Sequence, residues 1–245
     1  MFHRSRRLAA LFATALILSL LAAPTAFAGD DDDSDDGPAV YQVTVTNLTS
    51  SQAFTPPLLA THRRNFHVFE AGHQASFGVK EVAENGNVPA LVDELNGKKR
   101  VTAVVVAAGD PPPLLPGASI SAEISAEGGA KFFSFVSMLI CTNDGFAGLD
   151  GVRLPKRLGK SLEVYANSYD AGSEINSEDF NDIVPPCPAL SGVATDKPGA
   201  GMSNPALAEN GVITMHGGVV GGVDLTTAVH GWVEPVAKIV ITRVR

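Results

Sequence analysis

Residues 132–140 read FFSFVSMLI and form the most hydrophobic of several short segments with the composition of β-strands. Short apolar runs bounded by Gly, Pro and Asn are typical of strands. Working outward along the chain, the other strand candidates are 40–46, 66–70, 101–107, 118–125, 161–166 and 236–244. Proline and glycine clusters separate them, at 56–57, 111–113, 116–117, 128–129, 185–186 and 217–218. Spaced strands without βαβ alternation predict an all-β fold, an antiparallel β-sandwich.

Two regions depart from the strand pattern. Residues 88–95, VPALVDEL, predict one short helix that Asn96-Gly97 ends. Residues 167–235 are rich in Gly, Pro, Asn and Asp, with weak strand signals only near 212–215 and 219–225. Loops of this kind gather at one rim of a sandwich, where function usually lies.

The N-terminal residues have the three parts of an export signal. A basic segment precedes a long apolar stretch, and Ala26-Phe27-Ala28 fits a signal peptidase site. We therefore predict a signal peptide over residues 1–28, Sec-type export with cleavage near Ala28, and a secreted or periplasmic mature protein. An uncleaved anchor is the alternative, because the apolar stretch approaches membrane-spanning length. No second run does so, and the mature chain is not expected to be an integral membrane protein.

An acidic linker over residues 29–37 and one domain over 38–245 are predicted next. The linker contains DDDDSDDG, which imitates the opening of a calcium loop, but Val43 stands where such a loop needs its glutamate. A solvated tether is the better interpretation. Removal of the three signal arginines moves the formal charge from −8 to −11. We see no basic patch or arginine-rich stripe in the sequence, and nucleic acid is therefore not an expected partner.

The chain has two cysteines, Cys141 and Cys187. In an oxidising compartment such a pair most simply forms a disulfide, and two separately buried thiols are the alternative. The six histidines show no i, i+4 pairing, so zinc is not predicted.

Two acidic clusters follow predicted strands. CTNDGFAGLD occupies 141–150 and YDAGSE occupies 169–174. If the two strands are neighbours, both clusters emerge at one rim. Gly172 lets the backbone curl so that Asp170 and Glu174 face a common point, and Asp144 arrives from the adjoining loop. Ordinary solvated loop carboxylates are the alternative.

A divalent cation would remove the repulsion within such a group. Three close carboxylates without cations raise one another's pKa values or open the loop. Calcium accepts six to eight oxygen ligands in irregular geometry, whereas magnesium requires a stricter octahedron.

Several segments, in order, resemble one protein family. They are 54–58 (FTPPL), 69–72 (FEAG), 75–86 (ASFGVKEVAENG), 134–138 (SFVSM), 143–149 (NDGFAGL), 169–174 (YDAGSE) and 236–243 (VAKIVITR). Together they resemble the spondin N-terminal domain. The resemblance implies a C2-like β-sandwich with a calcium ion (Ca2+) at one rim.

The same resemblance implies a metal site of Asp144, Asp170 and Glu174. Asp144 falls on the aspartate of the family's Pro-Asp-Trp motif, and the other two fall on the acids of its Asp-Ala-Gly-Thr-Asp motif. The chain departs from the family in having Glu174 for aspartate, and Asn143 and Gly145 for proline and tryptophan. Glu174 is one methylene longer and still a competent ligand, whereas Asn143 and Gly145 predict a less rigid loop around Asp144 and weaker binding. The remaining carboxylates are predicted to be solvated, namely Asp150, Glu178, Asp179, Asp182 and Asp224.

The leading hypothesis is an exported calcium-binding module for interaction or adhesion, without catalysis. Its partner, whether a protein, a glycan or a lipid headgroup, is not specified by the sequence. The alternative is a hydrolase of the envelope or extracellular space that uses a histidine, although no Gly-x-Ser-x-Gly elbow is present. Its candidate residues are His62, His67, His73, His216 and His230. Trp232, the one tryptophan, is predicted to anchor core or loop.

Overall fold

The computed structural model describes residues 37–109 and 112–245. The predicted signal peptide and all of the acidic linker except Gly37 lie outside these residues. The described strands are β1 (Ala39–Asn47), β2 (Leu58–His62), β3 (Val101–Val106), β4 (Ser119–Ala126), β5 (Phe132–Met138), β6 (Gly145–Arg153), β7 (Ser161–Asp170), β8 (Thr214–Met215) and β9 (Ala237–Arg243). The helices are α1 (Phe77–Asn85), α2 (Val88–Asn96), α3 (Pro186–Ser191) and α4 (Thr227–His230).

The strands form an antiparallel sandwich, as predicted. Their order is β3-β2-β5-β6-β7-β9-β1-β4, and β8 adds to β7. Strand β7 belongs to both layers, because residues 167–170 pair with β6 while residues 161–166 pair with β9. β3 also contacts β4, so the sheet is nearly closed on itself.

The hydrophobic run 132–140 is explained by burial of β5 on both faces. Phe133 and Phe135 pack between the two layers with residues of β1 and β9. Val136 and Met138 point the other way, into a second core beneath helices α1 and α2. A strand covered on both faces loses the polar alternation of a half-exposed strand.

Several elements differ from the sequence-based prediction. The short helices α3 and α4 were not predicted, and the weak strand signal at 219–225 is wrong. The predicted strand at 66–70 is wrong, and the chain instead forms β2 directly after Pro56-Pro57. Strand β6 was missed because GFAGLDGVR carries three glycines. Helix α1 was also missed, although Ser76 caps it by accepting from the N–H of Val79. The predicted helix at 88–95 is confirmed as α2.

The antiparallel register gives the sandwich two distinct ends. Strands β5 and β7 end, and β6 and β9 begin, at the end that carries the long loops. We call this end the acidic rim. At the opposite end β5 begins next to the end of β6, since Phe132 pairs with Arg153, and β7 begins next to the end of β9. In the part of the chain that the structure describes, no helix is long and apolar enough to cross a membrane.

Candidate metal site at the acidic rim

Asp144 lies in the turn between β5 and β6 and is fully buried. Its Oδ2 accepts hydrogen bonds from the backbone N–H groups of Ser173 at 2.8 Å and Glu174 at 3.0 Å. The Ser173 hydroxyl donates to the same oxygen at 3.2 Å. The other oxygen, Oδ1, is buried and has no hydrogen-bond partner. An unsatisfied carboxylate oxygen in the interior is costly unless a ligand compensates it.

The register of β6 and β7 carries Asp170 to the same place. Gly145 pairs with Asp170, and the Ala171 N–H donates to the Asp144 carbonyl at 3.1 Å. Gly172 then turns the chain with φ +65°, and a Cβ there would lie 2.7 Å from backbone atoms of Val212. Only glycine fits this close approach. Asp170 itself accepts from the Gly172 N–H through Oδ1 and from the Asn176 amide through Oδ2, both at 2.7 Å.

Glu174, whose N–H is one of the backbone donors to Asp144, is also buried. It is 3% exposed, and its Oε1 accepts from the Asn204 N–H at 2.7 Å. The carboxylate of Glu84, at the end of α1, also lies nearby. Glu84 is itself buried, accepts from the Ser203 hydroxyl, and has its second oxygen 3.5 Å from the Lys80 ammonium. Sequence reasoning missed Glu84, because nothing in a helical AEN stretch distinguishes it from a surface glutamate.

Burial and mutual repulsion disturb both central acids. Burial, with the negative charge of Asp170, raises the pKa of Asp144 to about 6, although the N–H groups of residues 173 and 174 oppose the change. Burial also raises the pKa of Glu174 to about 7, with further contributions from Glu84 and Asp144. The hydrogen bond from the Asn204 N–H opposes this rise in pKa more than the charge of Glu84 or Asp144 adds to it, and the Lys80 ammonium opposes it least. Near neutral pH the rim therefore holds carboxylates that are poorly stabilised as anions.

The predicted ligands adjoin one another without forming a closed cluster. The charge of Asp170 acts on Asp144 and that of Asp144 acts on Glu174, while Asp170 and Glu174 accept from different backbone groups. Within residues 37–109 and 112–245, one set of three metal-ligating side chains has its ligand atoms within 4.8 Å of one another, namely Cys141, Cys187 and His230. Its two cysteines are joined in a disulfide, so this set does not offer thiolates to a metal.

The segment that carries Asp144, Asp170 and Glu174 matches a known protein family. The model of the Spondin_N family matches residues 44–178, which is more than half of the chain. The chain belongs to the Spondin_N family. Human Spondin-2 is 27% identical over 177 residues, which cover 65% of this chain and 53% of Spondin-2. The chain thus spans about half the length of this relative.

Several other carboxylates of this Spondin_N domain are structural, which corrects the prediction that they are solvated. Glu178 is 5% exposed, and its two oxygens accept from the N–H groups of Val220, Gly221 and Gly222 at 2.6 to 2.8 Å. Asp224 accepts from the Phe180 N–H at 2.8 Å. Backbone N–H groups thus stabilise Glu178 and Asp224. One ammonium group also contacts carboxylates of this set, among the residues that the structure describes. That group is Lys197, which contacts Asp179 and Asp224.

The cysteine prediction is confirmed. Cys141 and Cys187 form a disulfide with their Cα atoms 5.0 Å apart. Both residues are buried. The bond links the loop that carries Asp144 to helix α3, and it therefore restricts the movement of that loop at the rim.

The best serine–histidine pair of the Spondin_N domain does not have the order of a catalytic triad. His62 Nε2 lies 2.9 Å from the hydroxyl of Ser134, which donates to Asp150 at 2.9 Å. The carboxylate therefore contacts the serine, while the imidazole Nδ1 faces the Arg63 carbonyl. In a triad the acid orients the imidazole instead. Ser134 and His62 are also buried, at 0% and 1% exposure.

Trp232 anchors the loop before β9, as predicted. Its indole N–H donates to the Ser168 hydroxyl at 3.0 Å and lies 3.2 Å from Glu234. Its ring packs edge-on against His216, with centroids 5.0 Å apart. It is partly buried against both hydrophobic cores.

Proposed function

We propose that the chain is an exported, calcium-binding interaction module that acts without catalysis outside the cell or in its envelope. The observation that supports it most directly is the buried Oδ1 of Asp144, which lacks a partner beside two further carboxylates. Membership of the Spondin_N family supports the same assignment.

The residues present fit a hard divalent cation. Asp144, Asp170 and Glu174 offer carboxylate oxygens, the donors that calcium prefers, and loop carbonyls can complete its coordination. A bound cation would supply positive charge where burial and repulsion now raise the pKa values of two acids. The longer Glu174 side chain and the Asn143-Asp144-Gly145 turn leave the loop freedom to adjust, which favours calcium over magnesium.

Calcium binding would order the loops of the rim, because it would hold Asp144 and the segment 170–174 together. A ligand that binds only the folded state stabilises it by RT ln(1 + [L]/Kd), or about 2.7 kcal/mol at 100 times Kd. The ordered loops then present one surface to a partner. We propose a partner in the extracellular space or the envelope, of protein, glycan or lipid chemistry.

Calorimetric titration of the chain from residue 29, after treatment with a chelator, tests calcium binding. We expect heat at micromolar to millimolar calcium, and binding at least about 100-fold weaker in Asp144→Asn and Asp170→Asn. Asp196→Asn is the matched control, since Asp196 is exposed and carries the same charge. Absence of heat in the wild type, or equal affinity in all three variants, would remove the proposed site. A parallel titration with magnesium measures selectivity.

A second assay addresses the hydrolase alternative, since His62 and Ser134 are in hydrogen-bond contact. We expect turnover of a small activated ester to equal that of Ser134→Ala. A rate that falls more than tenfold in Ser134→Ala, with the fold intact by circular dichroism, would contradict a non-catalytic module.

A further inference from the structure

The end of the sandwich opposite the acidic rim collects almost all of the positive charge. Fifteen Lys and Arg residues follow residue 28, and twelve of them lie where strands begin or end at this end. We call it the basic end, and its residues are Arg63, Arg64, Lys98, Lys99, Arg100, Lys131, Arg153, Lys156, Arg157, Lys160, Arg243 and Arg245. The sequence-based statement that the chain has no basic patch was therefore wrong.

The patch was invisible in sequence because its members come from five separate segments. Each segment holds one to four cations next to a strand terminus. Antiparallel pairing then brings the termini together, as when the Leu154 N–H donates to the Lys131 carbonyl at 2.9 Å and Phe132 pairs with Arg153. Nucleic acid was excluded as a partner because no basic patch was seen, so this exclusion no longer holds and binding to nucleic acid has to be measured.

Part of the basic end is a cleft of about 320 Å³. Its lining includes four cations, Lys131, Arg153, Lys156 and Arg243, and no acidic residue. Arg243 is held in place because its guanidinium donates to the carbonyls of Lys156 and Arg245. The cleft is thus a preformed concavity of one charge sign, which focuses the field on an anion.

These cations have almost no internal counter-charge. Among the residues that the structure describes, only Lys98 of the twelve lies within 4.0 Å of an Asp or Glu carboxylate, that of Glu94 at 3.8 Å. Glu127 follows β4 at the same end without pairing with any of them. The contrast with Lys197, which contacts two carboxylates at the rim, shows that the basic end is left open to an external anion.

Exposed apolar side chains accompany the cations. Leu158 occupies the tip of the loop between β6 and β7 and is 55% exposed. Lys156, Arg157 and Lys160 flank it. An apolar tip surrounded by cations is the composition that binds an anionic lipid surface, where the leucine enters the interface and the cations meet phosphates.

Nucleic acid fits the same surface less well. Binding of unpaired bases uses exposed aromatic rings as stacking platforms. The one aromatic residue that lines the cleft, Tyr41, is 5% exposed, and its hydroxyl donates to the Pro155 carbonyl at 3.1 Å. It offers no face to a base.

We propose that the basic end docks on an anionic phospholipid surface, with a headgroup phosphate in the cleft and Leu158 in the interface. The acidic rim, at the other end, offers the surface no cationic patch, and at about 0.1 M salt it lies beyond the reach of the lipid charge. The domain therefore binds in one orientation, with the rim and its loops directed away from the lipid. This inference does not depend on calcium binding.

Sedimentation with vesicles tests the proposal. The chain from residue 29 is mixed with phosphatidylcholine vesicles, with or without 30% phosphatidylglycerol, at about 0.1 M salt. We expect binding only to the anionic vesicles. The double variant Arg153→Gln/Lys156→Gln should bind about 30-fold more weakly, since each cation near the surface contributes about a factor of five. Leu158→Gln should bind the anionic vesicles about tenfold more weakly than the wild type.

Lys238→Gln is the control for the loss of one cation elsewhere, because Lys238 lies near the start of β9, away from the basic end. Circular dichroism and the thermal midpoint confirm that each variant folds. Equal binding to neutral vesicles, or equal loss in the control and in the double variant, would overturn the proposal.

Two soluble probes separate the sources of phosphate. Glycerol 1-phosphate that competes with the vesicles supports the cleft as the headgroup site. If it binds the wild type but not the double variant while vesicles fail to bind, the membrane assignment is wrong and the cleft takes a soluble phosphate ester. If a short DNA duplex binds more tightly than the vesicles do, and the double variant abolishes this, the lipid assignment is likewise overturned.

Discussion

The two ends of the sandwich hold their charges in opposite ways. At the acidic rim the carboxylates of Asp144, Glu174 and Glu178 are buried and accept backbone N–H groups. At the basic end the cations extend into water and, except for Lys98, make no ion pair among the described residues. Charges of the first kind are part of the fold. Charges of the second kind are free for a partner, so substitutions should change stability at the rim and binding at the basic end.

The largest stability effect is expected from the disulfide, which lies at the acidic rim. Cys141→Ser/Cys187→Ser removes a link between residues 46 apart. Closing a loop of that length restricts the unfolded chain by about 4 kcal/mol. Urea denaturation, monitored by Trp232 fluorescence, should show that the free energy of unfolding of the double variant is lower by this amount. Reduction of the wild type should lower it equally. Equal stability of the oxidised and reduced wild type would contradict this prediction.

The second effect is a loss of stability with rising pH, which comes from the rim. Asp144 and Glu174 have folded pKa values of about 6 and 7, above their ordinary values of 3.8 and 4.5. The folded state therefore holds more protons than the unfolded state between about pH 4 and 7, and stability falls as pH rises through that window. At about 1.4 kcal/mol per pKa unit, the differences between the folded and ordinary values set an upper limit of about 6 kcal/mol. Because the two acids interact and their loops can relax, we expect the free energy of unfolding to fall by on the order of 3 kcal/mol between pH 4 and 8.

Calcium and a variant sharpen that measurement. If calcium compensates the rim, saturating calcium should restore most of the loss at pH 8 and little at pH 4, where the acids are protonated. Asp144→Asn should flatten the dependence without calcium, while Asp196→Asn should leave it unchanged. If the free energy of unfolding falls as steeply with pH in Asp144→Asn as in the wild type, other groups cause the pH dependence.

How much of this contrast the sequence predicts depends on the range of the interactions. Local patterns suffice for β5, for helix α2 and for the turn at Gly172. They fail for β2 and β6, where a short strand after two prolines and a glycine-rich strand depend on neighbours distant in sequence.

Charges are harder to place than strands. Glu178 looks like a surface residue, and only the return of 220–222 provides its three N–H donors. The basic end likewise exists only after pairing has gathered the strand termini. The burial of Glu178 and the basic end both depend on which distant segments meet in the fold. The spacing of residues within one segment does not predict this.

The third effect, of about 2 kcal/mol, is expected at Glu178. In Glu178→Gln one acceptor oxygen remains for three N–H groups, and the new amide places a donor against the others. Losing hydrogen bonds to a buried charge costs about 1.5–3 kcal/mol. The control is Glu209→Gln, at an exposed position in the same loop region. If both variants unfold at the same urea concentration, the rim carboxylates are not structural in the sense proposed.

The smallest effect should come from the basic end. Lys156→Gln/Arg157→Gln removes two exposed cations that form no ion pair with any described residue. Exposed charges without partners contribute little to folding, so the free energy of unfolding should change by less than about 0.5 kcal/mol. Removing two like charges from a crowded patch should stabilise the fold slightly, and this gain should vanish at 1 M salt. A loss of more than about 1 kcal/mol would mean that these cations stabilise the fold as the rim carboxylates do, and the contrast between the two ends would fail.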